Sequence, residues 1–263
     1  MAPLLPALPA PTIVRAGGEA LLVRRLGAGP RIVLLHGGPG LDHHLLLPLA
    51  RPLAEAFDVW LVDLPGHGSA GGPALGLEKT LVRLGHFLAE VQPEVLGGHS
   101  LGAFFARELL RAKIVRPRAA ILVSPPGPVR GREGRRPLPS VRGATGPVLR
   151  EALLEELGPR LTSEFRQDLE AAVLRSPEQY GRLVADLLPL LRAAVPSCDP
   201  RCPVLVLAGA DDRVAPPSVA QAVTLATRGA ELQIVPGAGH FPWAAGAAPI
   251  ADRIRRFLAE HLG

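Results

Sequence analysis

Val95-Leu96-Gly97-Gly98-His99-Ser100-Leu101-Gly102-Ala103-Phe104-Phe105 is the stretch whose reading decides the fold. Val95 to Gly97 form a short apolar run suited to a strand, and residues 101 to 113 carry apolar side chains three or four apart, the spacing of one helix face. Between them lies the pattern G-x-S-x-G, as Gly98-His99-Ser100-Leu101-Gly102. A serine in so tight a strand-to-helix turn is held in a strained conformation with its hydroxyl outward. A Cβ at either glycine would clash where strand and helix approach. The adjoining helix N-terminus favours developing negative charge. Ser100 is therefore the candidate nucleophile.

Outward from this turn, residues 20 to 124 alternate short apolar runs with helix-like segments, the pattern of a parallel sheet covered by helices. The runs are Ile32 to Leu35, Val59 to Asp63, Val95 to Gly97 and Ala119 to Val123. Helices are expected at about 44 to 56, 77 to 92 and 101 to 113. The pattern breaks at Ser124, before Pro125-Pro126-Gly127-Pro128, and resumes at Pro203. Residues 146 to 193, rich in Leu, Ala, Glu and Arg, read as several short helices. After them come a strand at Val204 to Leu207, a helix at 217 to 228, a strand at Leu232 to Val235 and a closing amphipathic helix at 249 to 261. The expected division is a core of 1–124 and 199–263 with a helical cap of 125–198 inserted between its parts.

Three more motifs fall where the runs end. His36-Gly37-Gly38-Pro39-Gly40 follows Ile32 to Leu35. A glycine turn there leaves backbone N–H groups for a tetrahedral oxyanion, and the pair of donors is assigned to Leu101, after the serine, and Gly38. Gly209-Ala210-Asp211-Asp212 follows the first strand after the cap, and either carboxylate sits where sites form in open α/β sheets. Gly237-Ala238-Gly239-His240-Phe241-Pro242 follows the last strand, making His240 the candidate general base. His36 is expected to brace its loop rather than react.

With these motifs in this order, and with Asp63-Leu64-Pro65-Gly66-His67-Gly68-Ser69 after the second run, the chain resembles the α/β-hydrolase superfamily. The resemblance implies an α/β-hydrolase fold, a mostly parallel doubly wound sheet with an inserted helical cap. Among the two aspartates it implies Asp212, and the order Ser100, Asp212, His240 matches the Ser, acid, His order of the fold. The Asp63 to Ser69 loop would brace a turn near the site. The implied reaction is hydrolysis through an acyl-enzyme on Ser100, of a small-molecule ester or amide. The His36 to Gly40 loop is similar to that of proline iminopeptidases, so aminopeptidase-like activity is the alternative. Iminopeptidases usually place glycine before and tryptophan after the nucleophile, where this chain has His99 and Leu101. The cap carboxylates for an amino terminus would come from Glu151, Glu155, Glu156, Glu164 and Asp168. A reading from another class is a ligand-binding protein that kept the fold without turnover.

Composition narrows the partners. The chain has 263 residues, 20% charged and 4% aromatic, with a formal net charge of +5 carried almost wholly by arginine, since Lys79 and Lys113 are its lysines. The dense basic cluster, Arg130, Arg132, Arg135, Arg136 and Arg142, lies among Gly and Pro without an aromatic, which reads as a solvated linker and not a nucleic-acid surface. Met1 to Pro11 has four prolines and no basic residue, so no signal peptide is expected. No apolar run approaches the ~20 residues that cross a bilayer. Cys198 and Cys202, with no other cysteine to complete a zinc site, read as free thiols of a cytoplasmic chain. No metal, organic cofactor, nucleic acid or membrane is expected as a partner. Oligomeric state is not legible.

Overall fold

A computed structural model describes residues 8–68, 75–128 and 193–263, with 165–167, 169, 171, 186 and 189 between them. Eight strands form one sheet: β1 (Thr12–Ala16), β2 (Glu19–Leu26), β3 (Arg31–Leu35), β4 (Asp58–Val62), β5 (Val95–His99), β6 (Ala119–Val123), β7 (Val204–Gly209) and β8 (Ala230–Val235). Their order is β1-β2-β4-β3-β5-β6-β7-β8. β2 runs antiparallel to both β1 and β4, and every other pairing is parallel. Helices with defined bounds among the described residues are α1 (Leu47–Leu53), α2 (Leu77–Val91), α3 (Leu101–Arg111), α4 (Pro217–Leu225) and α5 (Ala248–Leu262). This is the α/β-hydrolase fold expected from the motifs.

β4, β5, β6 and β7 are buried at every residue, as strands covered on both faces must be. Alternate residues divide between two cores. Ile32, Leu34, Ile121 and Leu205 pack with Leu49 and Leu53 of α1 and with Ile254 and Phe257 of α5. Val33, Leu35, Leu122 and Val206 pack with Phe87 of α2, Phe105 of α3 and Val223 of α4 on the other face. The period of two along each strand thus becomes a three-layer molecule.

The sheet order also places the site. From β3 the chain steps to β4 on one side, and after α2 it returns to β5 on the other, so the loops leaving β3 and β5 diverge at a topological switch point. Such a point opens a crevice at the carboxyl ends of the strands.

Several expectations change. The runs expected as strands begin at Ile32, whereas the sheet begins earlier with the β1–β2 hairpin, whose Gly17-Gly18 turn carries positive φ at both residues. The helix expected at 44 to 56 is shorter, a 3₁₀ turn (His43–Leu46) followed by α1, with Pro48 in its first turn and Pro52 near its end. The arginine cluster at 130 to 142, and Glu151, Glu155, Glu156, Glu164 and Asp168, lie outside the described residues. So does most of 125–198. The chain is back on the core by Cys198, which bridges to Thr227 and accepts a hydrogen bond from the Arg228 N–H (2.9 Å). Cys198 and Cys202 are both free. Among the described residues, no helix is long and apolar enough to cross a membrane.

Candidate active site

Ser100 follows β5 directly and caps α3 with φ 49° and ψ −117°, a backbone conformation that L-residues adopt only under strain. Two features hold it there. The Ser100 N–H donates to the Val123 carbonyl of β6 (2.9 Å). The glycines on either side permit the close approach: a Cβ on Gly98 would run into the Gly102 backbone, and one on Gly102 into the Leu35 carbonyl of β3. Leu101 opens α3, where helix geometry leaves the first N–H groups without intrahelical acceptors.

Asp212 and His240 come together from the ends of β7 and β8. The His240 Nδ1–H donates to the Asp212 carboxylate, 2.9 Å from Oδ2 and 3.1 Å from Oδ1. Oδ1 also accepts the backbone N–H groups of Val214 (2.9 Å) and Ala215 (2.8 Å). Both residues are buried. Burial pushes the Asp212 carboxyl up, but His240 and these hydrogen bonds outweigh it and hold the group below the usual carboxylate range. With Nδ1 donating, the second imidazole nitrogen keeps its lone pair, the tautomer a general base needs. Asp211, by contrast, is exposed on the turn, and its N–H donates to the Ala238 carbonyl (2.9 Å). A Cβ on Gly209 would strike the Ala238 and Gly239 carbonyls, so the acid loop and the histidine loop pack backbone to backbone.

The His36 to Gly40 loop lies against the serine turn. A Cβ on Gly37 would come within 2.5 Å of His99 Nδ1 and 3.3 Å of Ser100 Cβ. His36 does brace the loop: its Nδ1–H donates to the Gly37 carbonyl (2.6 Å), and Nε2 accepts the Leu64 N–H (3.0 Å). Asp63 is likewise structural, its Oδ1 accepting the backbone N–H (2.9 Å) and the Nδ1–H (2.8 Å) of His43. Gly38 sits beside His67, whose Nε2 would be 3.9 Å from a Cβ there.

Sequence reasoning missed three neighbours of the site. Ser124 directly follows β6 with φ 46°, fully buried, and its hydroxyl lies beside Asp212 without regular hydrogen-bond geometry, close enough to help lower the acid's pKa. Its signal was the break in pattern immediately after β6. Phe165, from between β6 and β7, stacks edge-on against Phe241 (ring centroids 5.1 Å apart), next to His240. The third is the His99 ring, buried against His240.

Among the described residues, Asp42, His43 and His44 place ligand-type atoms within 4.8 Å of one another. Both nitrogens of His43 are committed, Nδ1 to Asp63 and Nε2 to the Arg24 Nε–H (3.0 Å), while His44 Nδ1 meets Asp42 Oδ1 at 3.0 Å. A guanidinium at that distance opposes a cation, so the cluster is a polar brace.

The buried rings give the fold an acid sensitivity. Burial holds His36, His67 and His99 below the ordinary 6.5, His67 at about 3. Below pH 6.5 the unfolded chain takes up protons at these rings more readily than the folded one. Stability should therefore fall as pH drops below 6.5, and His67 contributes up to about 1.4 kcal/mol per pH unit down to about pH 3. A lower urea midpoint at pH 5 than at pH 7 is the expected result. Equal midpoints would mean that the folded protein accommodates these protons.

A fold with a topological switch point, a strained serine beside it and a buried Asp–His pair at the same sheet edge defines a class of hydrolytic enzyme. The family model described as "Alpha/beta hydrolase family" matches residues 32–253, and the chain belongs to that family of hydrolases. Its relatives include the pimeloyl-[acyl-carrier protein] methyl ester esterase of Stenotrophomonas maltophilia (strain K279a), 30% identical over 251 residues, covering 89% of this chain and 94% of that one. The enzyme so named from Xanthomonas oryzae pv. oryzae (strain MAFF 311018) is also 30% identical, covering 89% and 97%. A thermophilic esterase from Thermogutta terrifontis superposes with a TM-score of 0.72 at 22% identity, over 97% of this chain and 99% of that one, a likeness of fold.

Proposed function

We propose that this hydrolase cleaves small-molecule carboxylic esters through an acyl-enzyme. Ser100 is the nucleophile, His240 the general base, and Asp212 the carboxylate that orients the imidazole. His240 takes the hydroxyl proton as Ser100 attacks the carbonyl, then returns it to the departing alcohol. Water, activated by the same histidine, releases the acid. The amides of Leu101 and Gly38 receive the oxyanion, each donor being worth roughly 3–4 kcal/mol in the transition state. The observation that carries this reading is the buried His240–Asp212 pair at the sheet edge where Ser100 is held at φ 49°.

The residues between β6 and β7 act as a cap over this edge. Phe165 on Phe241, and the Asp186 carboxylate accepting the Leu77 N–H at the start of α2 (3.1 Å), support that role. With methyl ester esterases among the relatives, methyl esters of acyl chains are the first substrates to try. The Gly-Gly-Pro-Gly turn after His36 keeps a second reading open, an iminopeptidase-like amide hydrolase.

The test is turnover of methyl and p-nitrophenyl esters of graded acyl length alongside proline p-nitroanilide, with intact-mass detection of an adduct on Ser100. Ester turnover with an acyl adduct is expected. Prolyl-amide turnover without ester turnover would favour the second reading, and no adduct with any ester or fluorophosphonate would mean a ligand-binding protein instead.

A further inference from the structure

His99 ends β5, directly before the serine, and its ring is almost fully buried. The ring packs on His240, Phe241 and Trp243, with centroids 4.8, 4.5 and 5.0 Å away. The Trp243 indole N–H donates to the Leu45 carbonyl (2.9 Å), so this wall is itself anchored. His99 Nε2 lies 2.8 Å from the main-chain carbonyl oxygen of His240, 141 residues along the chain. A carbonyl only accepts, so Nε2 carries the proton and Nδ1 is left as a lone pair. That Nδ1 is buried against Gly37 with no hydrogen-bond partner among the described residues.

An orphan polar atom in a core asks for a reason, because an apolar ring of the same size would avoid its desolvation cost. The reason is at the other nitrogen. The Asp212 carboxylate steers the His240 ring, but the backbone carrying that ring is a loop with glycines at 237 and 239. The His99 bond fixes that backbone to the strand that presents Ser100.

We propose that His99 is a positioning residue, whose Nε2–H holds the His240 carbonyl and so ties the base's loop to the nucleophile's strand. This rests on the reading of Ser100 and His240 as nucleophile and base. Without the tether the base shifts relative to the serine hydroxyl, and a displacement near 1 Å costs on the order of 100-fold in rate.

Two variants separate the hydrogen bond from the packing. His99→Phe keeps a ring against Phe241 and Trp243 but removes the donor. His99→Gln carries an amide N–H to nearly the position of Nε2. For ester hydrolysis, His99→Phe is expected to lower kcat by on the order of 100-fold with little change in KM or thermal midpoint, and His99→Gln to recover most of the loss. A wild-type rate in His99→Phe, or an equal loss in both variants, would overturn the proposal. The tether also has a signature that needs no turnover and no variant. In ¹⁵N-histidine-labelled wild type at pH 7, His99 is expected as the Nε2–H tautomer, and an Nδ1–H tautomer would overturn the proposal. If the wild type forms no adduct with a fluorophosphonate, the hydrolase reading of the site fails. The tautomer measurement then decides the tether alone.

Discussion

Ser100→Ala is expected to lower kcat for ester hydrolysis by about 10⁶-fold, the scale on which serine hydrolases lose rate with their nucleophile, and to abolish the covalent adduct. The variant should fold as the wild type does. Alanine and serine bear the same Cβ at φ 49°, the Ser100 N–H keeps the Val123 carbonyl, and the hydroxyl is the only group removed. The remaining rate would come from substrate held against the Leu101 and Gly38 amides, which need no serine. Steady-state kinetics, a thermal melt and intact mass check the three parts. If the variant keeps its rate and folds normally, the nucleophile is another group.

Asp212→Asn is expected to cost about 10⁴-fold in kcat while leaving the geometry nearly unchanged, and hydrogen-bond direction explains why. The Val214 and Ala215 N–H groups both point at Oδ1, so the amide oxygen of an asparagine must take that position. Its NH₂ then occupies the place of Oδ2, 2.9 Å from His240 Nδ1. Two donors cannot face each other, so the imidazole moves its proton to Nε2 and loses the lone pair that would accept from the serine. Asp211→Asn, at an exposed side chain of the same turn, should stay within about twofold of wild type. Equal losses at both positions would show that the charge of the loop matters and not the alignment of the histidine.

The contrast between the two aspartates shows how far the sequence reaches. The residue pattern made either one a candidate, and resemblance to a fold family favoured Asp212. In the structure the tight turn after β7 sends Asp211 to solvent and Asp212 inward to His240. The serine turn was more legible because its requirements are local: Gly98 and Gly102 are needed where strand, helix and β3 nearly touch, and that need appears as glycines at fixed offsets. The β1–β2 hairpin was missed although Gly17-Gly18 announced it. β2 lies between β1 and β4 with consecutive buried residues from Leu21 to Arg24, so the alternation that marks a half-exposed strand is lost.

From β3 onward, and outside the residues between β6 and β7, the sequence by itself determined the order of strands and helices, the turns that end them and the residue types at those turns, because backbone conformation and hydrophobic periodicity act over a few residues. Only the tertiary structure decided which strands became neighbours, which aspartate met the histidine, that Phe165 would lie on Phe241, and that His99 would hold the carbonyl of His240. These contacts join residues far apart in the chain. They depend on how the layers close over the sheet, and no local pattern specifies that packing.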